Sequence, residues 1–168
     1  MKTAEPTASP QYQALLQLLR TADTIWVASR EFFEPWGLSP SQFNVLNLLG
    51  GGEGVTQIEL SRQLIVHRSN ITGLVDRLEK RGLVCRNEVP GDRRSYRVSL
   101  TREGERVMTE ILPRYYAAAH RLWEGLRASD LNKLTNDLRE AARRAERIAR
   151  ETNPQPRQAH ENKTGPQK

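Results

Sequence analysis

The stretch from Thr56 to Thr101 constrains this chain more than any other, because two short helix patterns, a tight turn and a charged hairpin follow one another there without interruption. Thr56 and Glu59 make a T-x-x-E capping box, in which a hydroxyl and a carboxylate satisfy free backbone N–H groups at a helix start. In the helix that follows, Ile58, Leu60 and Leu64 can reach a core, whereas Gln57, Glu59, Ser61 and Arg62 are polar. After a turn at Ile65 to His67, the residues Ile71, Leu74, Val75 and Leu78 recur at the spacing of an amphipathic helix. Gly82 is placed to close that helix behind Lys80 and Arg81.

The side opposite this apolar stripe carries Ser69, Thr72, Gly73, Asp76 and Arg77, with Arg68 and Asn70 at the helix start. Such a face suits a DNA major groove: hydroxyls and amides can donate and accept at base edges, and Arg can make paired hydrogen bonds to guanine. Gly73 would let the backbone approach a duplex closely. A solvated helix surface with an incidental glycine has the same composition, so the face alone does not decide between the two.

The hairpin does more. LVCRNEV and YRVSL are strand candidates, the second alternating Tyr96, Val98 and Leu100 with Arg97 and Ser99. Pro90, Gly91 and Asp92 supply turn chemistry between them, and Arg93 and Arg94 stand at the tip. An arginine there can enter the narrow, electronegative minor groove while the preceding helix sits in the adjacent major groove.

The run ELSRQLIVHRSNITGLVDRLEKRGLV followed by GDRRSYRVSLTREGERV resembles the core of the MarR family, the multiple-antibiotic-resistance type of bacterial transcription regulator. The D-x-R wing signature is present as Asp92, Arg93 and Arg94, and the L-T-x-x-G that opens the next helix as Leu100, Thr101 and Gly104. The likeness extends from about Tyr12 to Ile148. It implies a mainly α fold with a small β-wing, a winged helix-turn-helix with long N- and C-terminal dimerisation helices. It implies equally a homodimer, usually a repressor and often released from its operator by a small molecule. By the same resemblance, Arg94 would reach the minor groove, and Arg68, Ser69 and Asn70 would approach bases or phosphates. His67 departs from the family pattern, since His is a poorer helix cap than the small or acidic residue common there. A surface-facing role is the simpler expectation for it than pH or ligand sensing.

A length of 168 residues suits one domain, and a formal net charge of +6 favours a polyanionic partner. The sequence divides into a flexible start at 1–10, a MarR-like domain at 11–150 and a disordered tail at 151–168. Within the domain, the winged helix-turn-helix covers about 56–101 and the dimerisation helices about 11–34 and 102–150. No stretch of roughly 18 uncharged apolar residues is present to span a membrane. The N-terminus lacks the apolar centre of a secretion signal, and the single cysteine fits a reducing, cytoplasmic setting.

Outside the hairpin region, Leu15, Leu16, Leu19, Ala22, Trp26 and Phe33 mark a long amphipathic helix from about Gln11. Ser39, Pro40 and Gln42 announce the next one with an S-x-x-Q box and a proline at its first position, and Gly50, Gly51 and Gly52 end it. A helix opened by Thr101 should run to about Arg127, with Pro113 kinking or breaking it. Ser129 should cap a last helix in which Leu131, Leu134, Leu138, Ala141, Ala145 and Ile148 form a narrow apolar stripe. Thin apolar stripes at both chain ends exceed what a small winged domain needs for its own core, so a second copy is expected to cover them. Two linked recognition helices would then read a pseudo-palindromic duplex.

No phosphate-binding glycine loop, metal-ligand cluster or nucleophile beside a base is recognisable, so neither an enzyme nor a cofactor is expected. The reading is a sequence-specific, dimeric DNA-binding regulator, expected to be a repressor released by an aromatic or phenolic ligand. Trp26, Arg30, Phe33 and Phe43 are the candidates for that ligand, offering aromatic walls and one cation for a carboxylate; they can equally be ordinary core. Two alternatives stand beside it. One is a constitutive architectural DNA-binding protein, the other a redox-responsive regulator using Cys85, whose thiolate the adjacent Arg86 would favour. A strand cysteine is more often a small buried hydrophobe.

Overall fold

The computed structural model describes residues 9–50, 52, 54–64, 71–89 and 92–152, apart from the side chains of residues 89 and 92–95. Its elements in chain order are helix α1 (Pro10–Phe33), a 3₁₀ turn (Glu34–Trp36), α2 (Pro40–Leu49), strand β1 (Val55–Thr56), α3 (Gln57–Gln63), α4 (Ile71–Lys80), β2 (Val84–Val89), β3 (Asp92–Leu100), α5 (Arg102–Leu122) and α6 (Ala128–Thr152). The chain forms two compact units, Met1–Ala117 and Ala118–Lys168, with the boundary inside α5. A local reason is visible in the second unit, whose long helix α6 buries no residue.

Local chemistry fixes most helix ends in the first unit. Ser39 and Gln42 form the expected capping box around Pro40: the Gln42 N–H donates to Ser39 Oγ at 3.2 Å, and the Ser39 N–H to Gln42 Oε1 at 2.9 Å. Thr56 and Glu59 repeat the arrangement at α3. The Gly82 N–H donates to Glu79 O at 2.8 Å and the Leu83 N–H to Leu78 O at 3.0 Å, the Schellman pair that ends α4 as expected.

The core of this unit takes Val45 and Leu46 from α2, Leu60 from α3, and Ile71, Leu74, Val75 and Leu78 from α4, with Val98 of β3 and Ile111 of α5 beneath them. Each such side chain, moved from water into the interior, stabilises the fold by about 1.5–3 kcal/mol. The α4 stripe read from the sequence is therefore the buried face. Ile58 is not part of it: the seven-residue α3 turns Leu60 inward and leaves Ile58 65 % exposed.

One three-stranded antiparallel sheet forms among the described residues, in the order β1-β3-β2. The third strand, β1, pairs Val55 with Val98 and Thr56 with Arg97. The hairpin pairs Val84 with Leu100 and Arg86 with Val98, then shifts register between Glu88 and Val89 before Val89 meets Asp92. Such a bulge bends and twists the end of a hairpin.

The L-T-x-x-G motif closes the joint between hairpin and α5. Thr101 caps the helix by accepting from the Gly104 N–H at 3.1 Å, and its hydroxyl donates to Gly82 O at 2.6 Å. A Cβ on Gly104 would lie 2.1 Å from Leu83 O, so this helix turn can approach the end of α4 only with no side chain there. Helix α5 runs unbroken through Pro113, which therefore neither ends nor divides it.

In the second unit, α6 starts at Ala128 rather than behind a Ser129 cap. The N–H groups of Asp130 and Leu131 both donate to Arg127 O, and the Arg127 side chain pairs with Asp130 at 2.9 Å. Leu138 and Ile148 on this helix are 39 % and 60 % exposed.

Candidate nucleic-acid interface and adjoining groove

On α4, Thr72 and Arg77 are exposed and Gly73 is half-buried, all on the side away from the stripe that packs inward. Arg77 is exposed and makes no ion pair among the described residues. The Thr72 hydroxyl donates to Gln57 Oε1 at 3.4 Å, linking α4 to the start of α3. Arg68, Ser69 and Asn70, like His67, lie outside the described residues. Arg93 and Arg94 fall at the start of β3, next to the Val89–Asp92 pair, rather than in a turn before the strand; their side chains are outside the description.

Asp76 shares the polar face, and a carboxylate there would repel phosphates. Arg86 of β2 answers it. One arm of its guanidinium donates to Asp76 Oδ1 and the other to Glu79 Oε2, so one cation bridges the hairpin to two successive acids on α4. Burial works against the charged guanidinium, but the hydrogen bond with Asp76 and the charge of Glu79 outweigh it and raise its pKa above the ordinary value. The sequence alone pairs Arg86 with its neighbour Cys85; the structure pairs it with Asp76 and Glu79. The signal of this bridge lies in the sequence as two acids three apart on a helix face, with an arginine in the strand that follows the helix. Both arms of Arg86 are taken by carboxylates of α4, and neither donates to the neighbouring Cys85. Cys85 is half-buried, with Sγ 3.9 Å from Ser99 O.

At α3, the Glu59 carboxylate accepts from the backbone N–H and the hydroxyl of Thr56, and these bonds hold its pKa below the ordinary 4.5. The ionised form is what caps the helix.

The four ligand candidates separate into two pairs. Trp26 and Arg30 line a groove of about 800 Å³ between the second half of α1 and the start of α2, together with Glu31, Glu34, Gly37 and Leu38. Phe33 and Phe43 are not in its lining. They are 2 % and 1 % exposed, stacked at 4.3 Å in the core, with Tyr115 4.7 Å from Phe43. Their burial corrects the four-residue site: the groove offers one indole and one guanidinium, set among two carboxylates.

Arg81 sits just beyond α4. It donates from Nη1 to Gly37 O at 2.7 Å and from Nη2 to Trp36 O at 2.8 Å. No helix among the described residues is long and apolar enough to cross a membrane, and no cluster of three metal-ligating side chains occurs among them.

Comparison with known proteins gives a consistent picture. A family model described as MarR family matches residues 36–95. The transcriptional repressor MprA of Escherichia coli K12 is 32 % identical over 114 residues, 67 % of this chain and 65 % of that repressor's length. A transcriptional regulator (MarR family) from Rhodococcus sp. RHA1 superimposes with a TM-score of 0.69 at 31 % identity, covering 80 % of this chain and 96 % of that one. CouR from Rhodococcus jostii RHA1, in a structure bound to p-coumaroyl-CoA, does so with a TM-score of 0.72 at 32 % identity, over 80 % and 95 %.

Proposed function

Since this chain belongs to the MarR family, we propose that it is a cytoplasmic transcription regulator, a homodimer that binds a pseudo-palindromic duplex in a sequence-specific way and represses from it. The carrying observation is the exposed Thr72 and Arg77 face of α4, tied to the hairpin through the Arg86 bridge. That bridge holds a helix of groove-fitting width and a two-stranded ribbon bearing Arg93 and Arg94 in one orientation, which is what simultaneous major- and minor-groove contact needs. In this reading Arg68, Ser69, Asn70, Thr72, Gly73 and Arg77 serve the major groove, and Arg94 the minor groove. Phosphate contacts supply most of the affinity and base contacts the choice of site. The named relatives are regulators or a repressor, and the chain is read as one too, with no catalytic activity.

The groove beside Trp26 and Arg30 supports a ligand-released repressor, with the indole as a ring platform and the guanidinium as a partner for an acid group. Its Glu31 and Glu34 restrict which acids are admitted, because a ligand carboxylate must reach Arg30 without approaching either. CouR, bound to p-coumaroyl-CoA, adds weight to an aromatic effector. Isothermal titration against a panel of aromatic acids tests this part, and no binding across the panel would remove it.

Selection of bound sequences from a random duplex pool, with competition against non-specific DNA at fixed physiological salt, tests the main reading. An enriched palindrome is the expected result. Tight binding with no enriched site would leave an architectural DNA-binding role instead.

A further inference from the structure

We infer that Arg81 is a positioning residue that locks the end of the recognition helix α4 to the turn walling the groove, so that the angle of α4 is held through that turn. The inference rests on α4 being the DNA-reading helix, as proposed above.

Two helix ends of the same kind meet at Arg81. After α1 and its 3₁₀ turn, the Gly37 N–H donates to Glu34 O at 2.7 Å and the Leu38 N–H to Phe33 O at 3.3 Å. These are the same two bonds that Gly82 and Leu83 make at the end of α4. Gly37 takes a φ of +59°, the left-handed conformation this closure needs and one that L side chains rarely adopt. Closure leaves the carbonyls of Trp36 and Gly37 without helical donors, at a terminus carrying partial negative charge. Arg81 supplies both at 2.7 and 2.8 Å.

The chemistry of the pair is specific. A planar guanidinium presents two parallel N–H groups to two neighbouring oxygens, whereas a lysine offers one point charge. Arg81 pairs with no carboxylate among the described residues, so the two carbonyls are its partners. The same turn is held through its indole, with the Arg114 guanidinium over the Trp36 ring at 5.5 Å and the Phe32 ring 5.9 Å from it. Glu34, Gly37 and Leu38 of the same turn wall the groove. A molecule seated there would press on the segment that Arg81 grips.

The test uses the full chain with Arg81→Ala and Arg81→Lys. Affinity for the selected duplex is expected to fall about tenfold in both variants, while non-specific affinity, salt slope and unfolding temperature stay at wild-type values. A salt slope lower by about one in Arg81→Ala and restored in Arg81→Lys would make Arg81 a phosphate contact and overturn the inference. Specific and non-specific affinity falling together with the unfolding temperature would also overturn it, as would unchanged affinity. Hydrogen exchange on the free chain probes the lock without DNA. The amides of Gly37, Leu38, Gly82 and Leu83 should exchange faster in both variants, and wild-type exchange would overturn the lock. A wild-type chain that binds no duplex but shows this exchange response would instead sink the DNA-binding reading and leave the lock standing.

Discussion

Arg86, on the first strand of the hairpin, donates to Asp76 on the helix proposed to read DNA, and so covers a negative charge on that helix's exposed side. The Asp76 and Glu79 side chains remain 56 % and 38 % exposed, so water and salt screen the bridge, and its contribution to stability is about 1 kcal/mol at most. Its effect on a polyanion is larger, because both acids are unmasked when the arginine is removed.

Arg86→Ala is therefore expected to lower duplex affinity about tenfold at low salt, with a small loss of stability. The difference should shrink as salt is raised, since exposed charges are screened within about 10 Å at 0.1 M. Adding Asp76→Asn to Arg86→Ala should recover part of the affinity. Titrations across ionic strength check this, and wild-type affinity in Arg86→Ala would show that the bridge plays no part in binding.

Gly104→Ala should be among the most damaging single substitutions in the chain. Its new methyl group meets a backbone oxygen at 2.1 Å, which cannot swing aside as a side chain could. Relief requires parting α5 from the end of α4, at roughly 3 kcal/mol or more. Thr101→Ser, which keeps the capping hydroxyl, should be close to neutral by comparison. Chemical denaturation of the two variants measures the contrast, and equal stabilities would refute the packing argument.

The α3 cap predicts an acid limb. The Glu59 pKa is lowered in the fold by its bonds to the Thr56 backbone and hydroxyl, relative to an ordinary 4.5. Its contribution to stability is thus fully present above about pH 4.5 and is lost as pH falls through the lower folded value. Glu59→Gln should unfold at a temperature less sensitive to acid below that point than wild type. Melting curves from neutral pH down to about pH 3 test it, and parallel curves would mean that the carboxylate is not the capping species.

Why some of these features were legible in the sequence and others were not comes down to range. The two capping boxes and the Gly82 closure involve residues within five positions of each other, so their chemistry can be read directly along the chain. The α4 stripe was readable because helical period alone sorts Ile71, Leu74, Val75 and Leu78 to one side. Strand β1 has two residues, too few to show a period, and exists because β3 presents Arg97 and Val98 to it. Arg81 reaches acceptors 44 and 45 positions away, a pairing that no local pattern encodes. Among the aromatics, residue type could not tell Trp26, which faces the groove, from Phe33, which fills the core seven positions later.

Arg94 and the start of α4 are expected to separate affinity from specificity. Arg94→Ala should weaken binding to all duplexes and reduce the salt slope by about one. Ser69→Ala and Asn70→Ala should change base preference with little effect on that slope. Repeating the duplex selection on each variant resolves the two classes. Full affinity and an unchanged slope in Arg94→Ala would overturn the wing assignment, and unchanged preference in both helix variants would mean that another surface reads the bases.

The terminal helices carry the last prediction. On α1, Leu15 and Leu19 are 52 % and 58 % exposed, with Tyr12 and Leu18 both at 40 %; on α6, Ile148 is 60 % exposed. A helix of 24 residues that buries only Phe33 within its own unit gains little from its apolar side in isolation. Apolar surface left exposed along a helix in this way is relieved when a second copy covers it. Sedimentation should therefore give twice the mass of one chain. Replacing Leu15 and Leu19 together with Glu places two charges where the partner helix would press, and should yield monomers, because burying an unpaired carboxylate is strongly unfavourable. Those monomers should keep the first unit folded, since neither residue belongs to its core, yet bind the selected palindrome far more weakly, with one recognition helix engaged in place of two. A wild-type chain sedimenting as a monomer would remove the dimer from the mechanism, and half-site recognition would then have to account for whatever specificity is measured.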